Sequence, residues 1–338
     1  MDQLNVSVVD LVGSYYELGL KQGEEIKTTE LIKQLDFLKK LSANSDPVKA
    51  KEVLSEISPN LLEELRGVAK GFNQKLDTVI KLYSGYDVDF PSMGCTTFIH
   101  DDYYVRNYDF SPEIYDARIV FSNPIDGYAS VGFSQNVIGR LDGMNEKGLV
   151  VGLHFVNDEH KGEGFLATTI VRLLLDQCSS VKEAVDFIST IPHGFCYNYS
   201  ITDSSGEGVV VEASPEKQVV HFRNPLICTN HFEAGALQVK NKKEIQGSIK
   251  RKEYISSLLI EELSPIDAYH HFNNGNAPLF IKYYKEHFGT LHTVVYLPKE
   301  LSVIIGVGEN CEPIRLSLKK YMDGTIILPK NIKGVINN

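Results

Sequence analysis

The chain has no excess of positive charge. Its 34 Lys and Arg stand against 44 Asp and Glu, a formal net charge of −10 over 338 residues. Phosphate binding relies on surplus Lys and Arg, so nucleic acid is not an expected partner. Paired cysteines are also lacking. The five lie at 95, 178, 196, 228 and 311, an odd number with neither a C-x-x-C pair nor a disulfide framework. That usage fits a reducing, cytoplasmic setting. No long apolar run is present, and Met1-Asp2-Gln3-Leu4-Asn5 carries an acid early, so neither a membrane span nor a signal peptide is expected. The sequence also lacks a Walker loop, a dinucleotide glycine fingerprint, internal repeats and low-complexity tracts. His-x-His and Cys-x-His spacings are absent, and the adjacent His270-His271 is a weak substitute, so no metal or organic cofactor is called for.

What is present is an ordinary globular composition, 43% hydrophobic and 23% charged, within the size of one large α/β or α+β unit. Residues 3–12 alternate as a strand, with Leu4, Val6 and Val8 on one face. Ser14 and Glu17 form a capping box, and a helical pattern runs through Ile26, Leu31, Leu35, Leu38 and Leu41 until Asn44-Ser45-Asp46-Pro47 breaks it. Ser58-Pro59 opens a second helix with the stripe Leu62, Leu65, Val68, Ala69 and Phe72, and Asp77 a third. Beyond residue 94 strands dominate: 117–121, 129–134, 137–141, 150–155, 197–202, 209–213 and 218–222. Two helices interrupt them at 166–178 and 181–190, another opens at Gly247 and continues to Leu263, and a closing hairpin covers 290–307. Periodicity alone therefore reads α+β.

The chemistry concentrates between Gly94 and Phe110. Cys95 to His100 and Tyr103 to Asn107 read as the arms of a β-hairpin turning at Asp101-Asp102. Pairing brings Arg106 and Asp109 back towards Cys95, and a thiol beside a guanidinium is a candidate nucleophile because the cation favours thiolate. The competing reading is a small buried hydrophobe, the common fate of a free cysteine.

Gly-Cys-Thr-Thr at 94–97 followed by Arg-Asn-Tyr-Asp-Phe at 106–110 resembles the N-terminal-nucleophile hydrolases of the penicillin acyltransferase branch, relatives of the choloylglycine hydrolases. Gly13-Ser14-Tyr15-Tyr16-Glu17-Leu18-Gly19 and Glu64-Leu65-Arg66-Gly67-Val68-Ala69-Lys70-Gly71 are similar to the pro-segment of that branch. Asp142-Gly143-Met144-Asn145-Glu146-Lys147-Gly148-Leu149 resembles a choloylglycine hydrolase segment leading to a strand beside the active site. The resemblance implies a four-layer αββα sandwich with two mainly antiparallel sheets between helical layers. It also implies cleavage at Gly94-Cys95, with 1–94 retained as a helical small subunit on the catalytic piece 95–338. Cys95 would be the nucleophile, with Arg106 lowering its pKa and Asp109 positioning the new α-amino group. Asn230, and a backbone N–H near His154, would hold the oxyanion. Arg251 would support the Asp109 side, with Lys250 one position away as its alternative. His154 stands where bile-salt members carry Asn, and on chemistry alone is as readily structural. The implied activity is hydrolysis or acyl transfer of a linear non-peptide amide, a small N-acyl compound, with the two processed chains associated and a homo-oligomer left open. The alternatives are a penicillin V or bile-salt amidase, a papain-like enzyme using His154, His231 or His292 as base, and a non-catalytic binder on the same scaffold.

Overall fold

The computed structural model describes residues 2–100, 102–157, 159–258 and 263–337. The expected turn residue Asp101, and positions 259–262 of the helix expected to continue to Leu263, lie outside the described residues.

Among the described residues the strands form two sheets. The larger has ten strands. From one edge it runs Gln218–Phe222, Gly208–Ala213, Cys196–Thr202, Val150–Asn157, Asp142–Asn145, Ser130–Gln135, Arg118–Pro124, Asp2–Gly13 and Asn331–Ile336, with Gly139–Arg140 paired beside Ser130–Gln135. The smaller has seven: Leu226–Cys228, Gly94–His100, Tyr103–Phe110, Phe288–Leu297, Ser302–Val307 and Ile314–Ser317, with Lys282–Tyr283 beside Phe288–Leu297. All pairings are antiparallel except that of Asp2–Gly13 with Arg118–Pro124. The sheets meet face to face where Gly94–His100 crosses Val150–Asn157. Helices Ala167–Gln177 and Val181–Ile188 cover the larger sheet, and Gln246–Leu258 and Pro265–Asn273 cover the smaller. This is the four-layer sandwich, and strands buried on both faces explain why several read as near-continuous apolar runs.

Residues 2–94 are less purely helical than expected, and they are part of the sandwich. The strand Asp2–Gly13 sits inside the larger sheet, parallel to Arg118–Pro124 and antiparallel to Asn331–Ile336. The Ser14/Glu17 capping box then starts helix Tyr15–Thr28. That helix does not continue through Leu41. The Thr29 hydroxyl accepts from Leu31 N and starts a 3₁₀ turn, Glu30–Gln34, before a new helix at Leu35–Leu41. Asp46 caps Pro47–Ile57 through Val48 N and Lys49 N, so the Pro47 breaker is also a helix start. Helices Tyr15–Thr28 and Pro59–Phe72 approach through facing glycines: a Cβ on Gly19 would lie 1.9 Å from Glu64 O, and one on Gly67 2.0 Å from Tyr16 O. Gly19, Gly67 and Gly71 of the two quoted pro-segment motifs are thus part of the contact surface itself.

One expected strand is cut back. Positions 137–141 yield only Gly139–Arg140, because Asn136 and Val137 both take positive φ, 56° and 64°, and turn the chain first. Among the described residues no helix is long and apolar enough to cross a membrane.

Candidate active site

The hairpin pairs Gly94 with Asp109, Cys95 with Tyr108 and Thr97 with Arg106. Side chains alternate across a strand, so this register sorts the site onto two faces. Cys95, Thr97, Tyr104 and Arg106 point into the layer between the sheets. Thr96, Asn107 and Asp109 point towards the helices that cover the smaller sheet.

Between the sheets, Arg106 Nη2 donates to Cys95 Sγ at 2.9 Å and Nε to Asp142 Oδ2 at 3.0 Å, all three residues fully buried. Arg106 Nη1 lies 3.5 Å from His154 Nε2, which is also 2.9 Å from Ser200 Oγ. Asp142 Oδ1 accepts from Tyr296 OH at 2.6 Å, and His292 Nε2 lies 3.7 Å from Asp142 Oδ2. Room for these long side chains comes from the facing strand. A Cβ on Gly152 would fall 1.9 Å from Tyr104 OH and 3.2 Å from Arg106 Nη1.

Burial dominates the electrostatics. It pushes the Cys95 thiol up to about 12; the Arg106 charge opposes that rise, while Asp109 and Asp142 add to it. Arg106 therefore pulls as expected, but in the continuous chain desolvation wins and the thiol keeps its proton. Burial, then the Arg106 charge, hold His154 well below its ordinary value, so its imidazole is neutral.

On the other face, Asp109 Oδ1 accepts from Thr290 Oγ1 at 2.6 Å, while the buried Oδ2 has no hydrogen-bond partner among the described residues. A Cβ at position 94 would stand 2.9 Å from that oxygen and from Phe288 Cζ, so the junction admits only glycine without displacement. Burial raises the Asp109 pKa, opposed chiefly by the Arg251 charge. Asn230 Oδ1 accepts from Cys95 N at 2.9 Å and from Arg251 Nη2 at 2.7 Å. Its Nδ2 donates to Phe155 O at 2.8 Å and Met93 O at 3.5 Å, and its backbone N to Ser248 Oγ. Arg251 Nε also reaches Thr96 Oγ1 at 2.8 Å. Arg251 thus touches Asn230 and Thr96, acting on Asp109 only through its charge, while Lys250 is exposed. A cavity of about 230 Å³ opens here, walled by Ser92, Met93, Gly94, Phe155, Asn230, Lys242 and Arg251 among others. A second cavity, about 430 Å³, lies between residues 3–37 and 112–118 and is not lined by Cys95.

The hydrogen-bond partner of the thiol is a guanidinium, not an imidazole. His231 Nδ1 is bonded to Ser248 and Thr229, and His292 Nδ1 to Tyr115 OH at 2.9 Å, so neither is arranged as a base for Cys95. Among the described residues no group of three or more His, Cys, Asp or Glu side chains could hold a metal ion. Sequence reading passed over Asp142, Gly152, Ser200, Thr290 and Tyr296. One signal was available for Asp142: it opens the quoted segment Asp142–Leu149 that leads to the strand beside the site.

A family model described as acyl-coenzyme A:6-aminopenicillanic acid acyl-transferase matches residues 99–312. The match spans Arg106, Asp109, Asp142, His154, Asn230 and Arg251, and begins four residues after Cys95. No curated protein sequence matches the chain. Similar solved structures include a conjugated bile acid hydrolase from Clostridium perfringens, 17% identical, covering 68% of this chain and 93% of that one with a TM-score of 0.47. A penicillin V acylase from Agrobacterium tumefaciens is 17% identical over 66% of this chain and 84% of its own, TM-score 0.41. A Caenorhabditis elegans N-acylethanolamine-hydrolyzing acid amidase ortholog is 14% identical over 61% and 93%, TM-score 0.35.

Proposed function

Because this chain belongs to the acyl-coenzyme A:6-aminopenicillanic acid acyl-transferase family, we propose that it cuts itself between Gly94 and Cys95 and then hydrolyses linear, non-peptide amides through a Cys95 thioester. The observation that carries the reading is the thiol of Cys95 under Arg106 Nη2 at 2.9 Å, on a residue whose backbone N is already held by Asn230.

In the first event Cys95 Sγ attacks the Gly94 carbonyl carbon, and the amide nitrogen leaves with a proton. The acyl group now rides on sulfur. Water cleaves that thioester, leaving a Gly94 carboxylate, a free thiol and a new α-amino group. The segment Ser92–Gly94 forms part of the cavity wall, so its withdrawal enlarges that cavity beside Asn230, which holds the new Cys95 amino group. Withdrawal also frees one N–H of Asn230 from Met93 O, leaving a donor directed at the cavity for an oxyanion.

In each later cycle the α-amino group takes the thiol proton; its reference pKa of about 7.7–8.0 suits a base near neutral pH. The thiolate attacks the amide carbonyl, the amine departs with that proton, and water resolves the acyl-thioester, releasing an acid. Asn230 Oδ1 keeps its grip on the nitrogen throughout. The partnerless Asp109 Oδ2 beside Gly94 is ready to accept from the new ammonium. Residues 1–94 remain attached through the strand Asp2–Gly13.

Intact-mass analysis tests the first half: two fragments, one beginning at Cys95, and a single full-length chain for Cys95→Ala. A panel of N-acyl amino acids, acyl-homoserine lactones, penicillin V and conjugated bile acids tests the second. An unprocessed wild type that hydrolyses these amides at a normal rate would overturn the N-terminal-nucleophile mechanism.

A further inference from the structure

We propose that Asp142 is a positioning residue, anchoring the Arg106 guanidinium at Nε so that its Nη2 stays on the Cys95 sulfur. The proposal rests on the reading that Cys95 is the nucleophile.

A guanidinium is a rigid plane, so fixing one edge fixes the other. Asp142 Oδ2 takes Nε–H at 3.0 Å, and Nη2 of the same plane meets Cys95 Sγ at 2.9 Å. The remaining nitrogen, Nη1, meets the neutral His154 at 3.5 Å. The anchor is itself braced. Tyr296 OH donates to Oδ1 at 2.6 Å, and the His292 imidazole lies 3.7 Å from Oδ2. His292 is in turn stacked on Phe133, ring centroids 3.5 Å apart and planes within 7°, with Nδ1 on Tyr115 OH. Asp142, Arg106 and His292 are all fully buried, so no water competes for the carboxylate. The chain Tyr115–His292–Asp142–Arg106–Cys95 runs from the 111–117 connection through three strands of the smaller sheet and one of the larger, fixing the sulfur's partner across the gap between sheets.

A role as mere counter-ion to Arg106 predicts the opposite chemistry, and the thiol distinguishes the two. The charged groups acting on it are Arg106, Arg251, Asp109 and Asp142, with His154 and Tyr108 the titratable neighbours. Asp142 is a negative charge near the thiol, so deleting that charge alone would lower the thiol pKa. Loosening Arg106 would raise it.

The test is the pH dependence of Cys95 alkylation by iodoacetamide, read by peptide mass so that the other four cysteines do not contribute, together with kcat and KM on whichever amide the wild type cleaves best. Asp142→Asn should raise the apparent pKa of alkylation, slow precursor cleavage, and lower kcat about 10- to 100-fold with KM within about threefold. Tyr296→Phe, which removes one neutral hydrogen bond and leaves the charge, should move the same readouts in the same direction by a few-fold. A lowered or unchanged alkylation pKa in Asp142→Asn overturns the proposal. If that variant does not fold, an unchanged profile in Tyr296→Phe overturns it alone. Should the wild type cleave no amide in the panel, the proposed function fails while the alkylation arm still decides the role of Asp142.

Discussion

Glu64 is the place where residues 1–94 are tied to the rest of the chain by buried charge, and its neutralisation has a calculable cost. Its carboxylate is fully buried and accepts from Arg172 Nη2 at 2.6 Å, Arg172 Nη1 at 3.2 Å and Gln22 Nε2 at 2.6 Å. Arg172 also grips Asp176 through Nε, and the fully buried Arg140 is close enough for burial and the Arg172 charge to hold it down at about 9. The four charges sum to zero. Glu64→Gln leaves this dry pocket with one uncompensated cation and turns an amide N–H towards Arg172. Breaking one partner of such a pair costs about 3–5 kcal/mol. The surviving Asp176 contact puts the expected loss at the low end, about 3 kcal/mol. For a chain of 338 residues the entropy of unfolding is roughly 0.7 kcal/mol per degree, so the melting temperature should fall by roughly 4 °C. The measurement is guanidinium unfolding in a Cys95→Ala background, which keeps one covalent chain. Arg172→Met alone should be similarly costly, leaving an uncompensated anion instead. The double variant should lose much less than the sum, with a coupling of about 2 kcal/mol or more. Glu64→Gln within about 0.5 kcal/mol of the parent, a loss ordinary for surface changes, would refute the reasoning.

Three further outcomes are expected. Asn230→Ala should cost about 100- to 1,000-fold in turnover, and also about 1–2 kcal/mol of stability, since its amide serves Phe155 O, Arg251 and Cys95 N as well as the oxyanion; steady-state kinetics beside a denaturant melt would show both losses, and full turnover would return it to a structural role. Gly152→Ala sets a Cβ against Tyr104 OH and should destabilise by about 1–3 kcal/mol while slowing Cys95 chemistry; adding Tyr104→Phe removes the obstructing oxygen and should restore part of both, and no rescue would disprove the overlap. His193, buried and pushed down to about 4 from its ordinary 6.5, is neutral when folded. The unfolded chain therefore binds the extra proton between those values, so stability should fall as pH drops through 6.5 towards 4, by on the order of 3 kcal/mol from this residue. His193→Gln should flatten that stretch of the stability curve, and an unchanged slope between pH 7 and 4.5 would show that His193 contributes nothing to it.

What was legible in the sequence was local. The Gly94–Phe110 hairpin, the Ser14/Glu17 box and the Ser58 cap depend on neighbours a few residues apart, and alternation or capping chemistry encodes such features directly. The layer order came from family likeness, because periodicity does not say which faces meet. Asp142 was hidden because its partners Arg106 and Tyr296 are 36 and 154 residues away. In a one-dimensional reading its carboxylate followed by Gly143 is turn chemistry, and only sheet stacking makes it the anchor of a guanidinium. Arg251 was reachable, and its charge does act on Asp109, but its hydrogen bonds to Asn230 and Thr96 were not, since a helix laid across the smaller sheet chooses its contacts by a rotation that spacing does not fix. The break at Thr28-Thr29 was missed for a simpler reason: the apolar stripe keeps its period through the kink, and the hydroxyl of Thr29 competes with the helix only locally.

The strand Asp2–Gly13 has a consequence for how the molecule could be unmade and remade. Its partners, 118–124 and 331–336, both follow the proposed cut. A cut at Gly94–Cys95 would therefore leave one sheet woven from two polypeptides, assembled while they were still one. Intact, the chain recovers from unfolding by a first-order search in which the first strand is tethered to its neighbours. Once cut, the same recovery becomes a bimolecular encounter whose yield depends on concentration, with the longer piece exposing the gap the strand had filled. The processed protein would then show hysteresis, melting like its precursor but failing to return when dilute. Its endurance would be set by the barrier to losing the first strand rather than by the balance between folded and unfolded states.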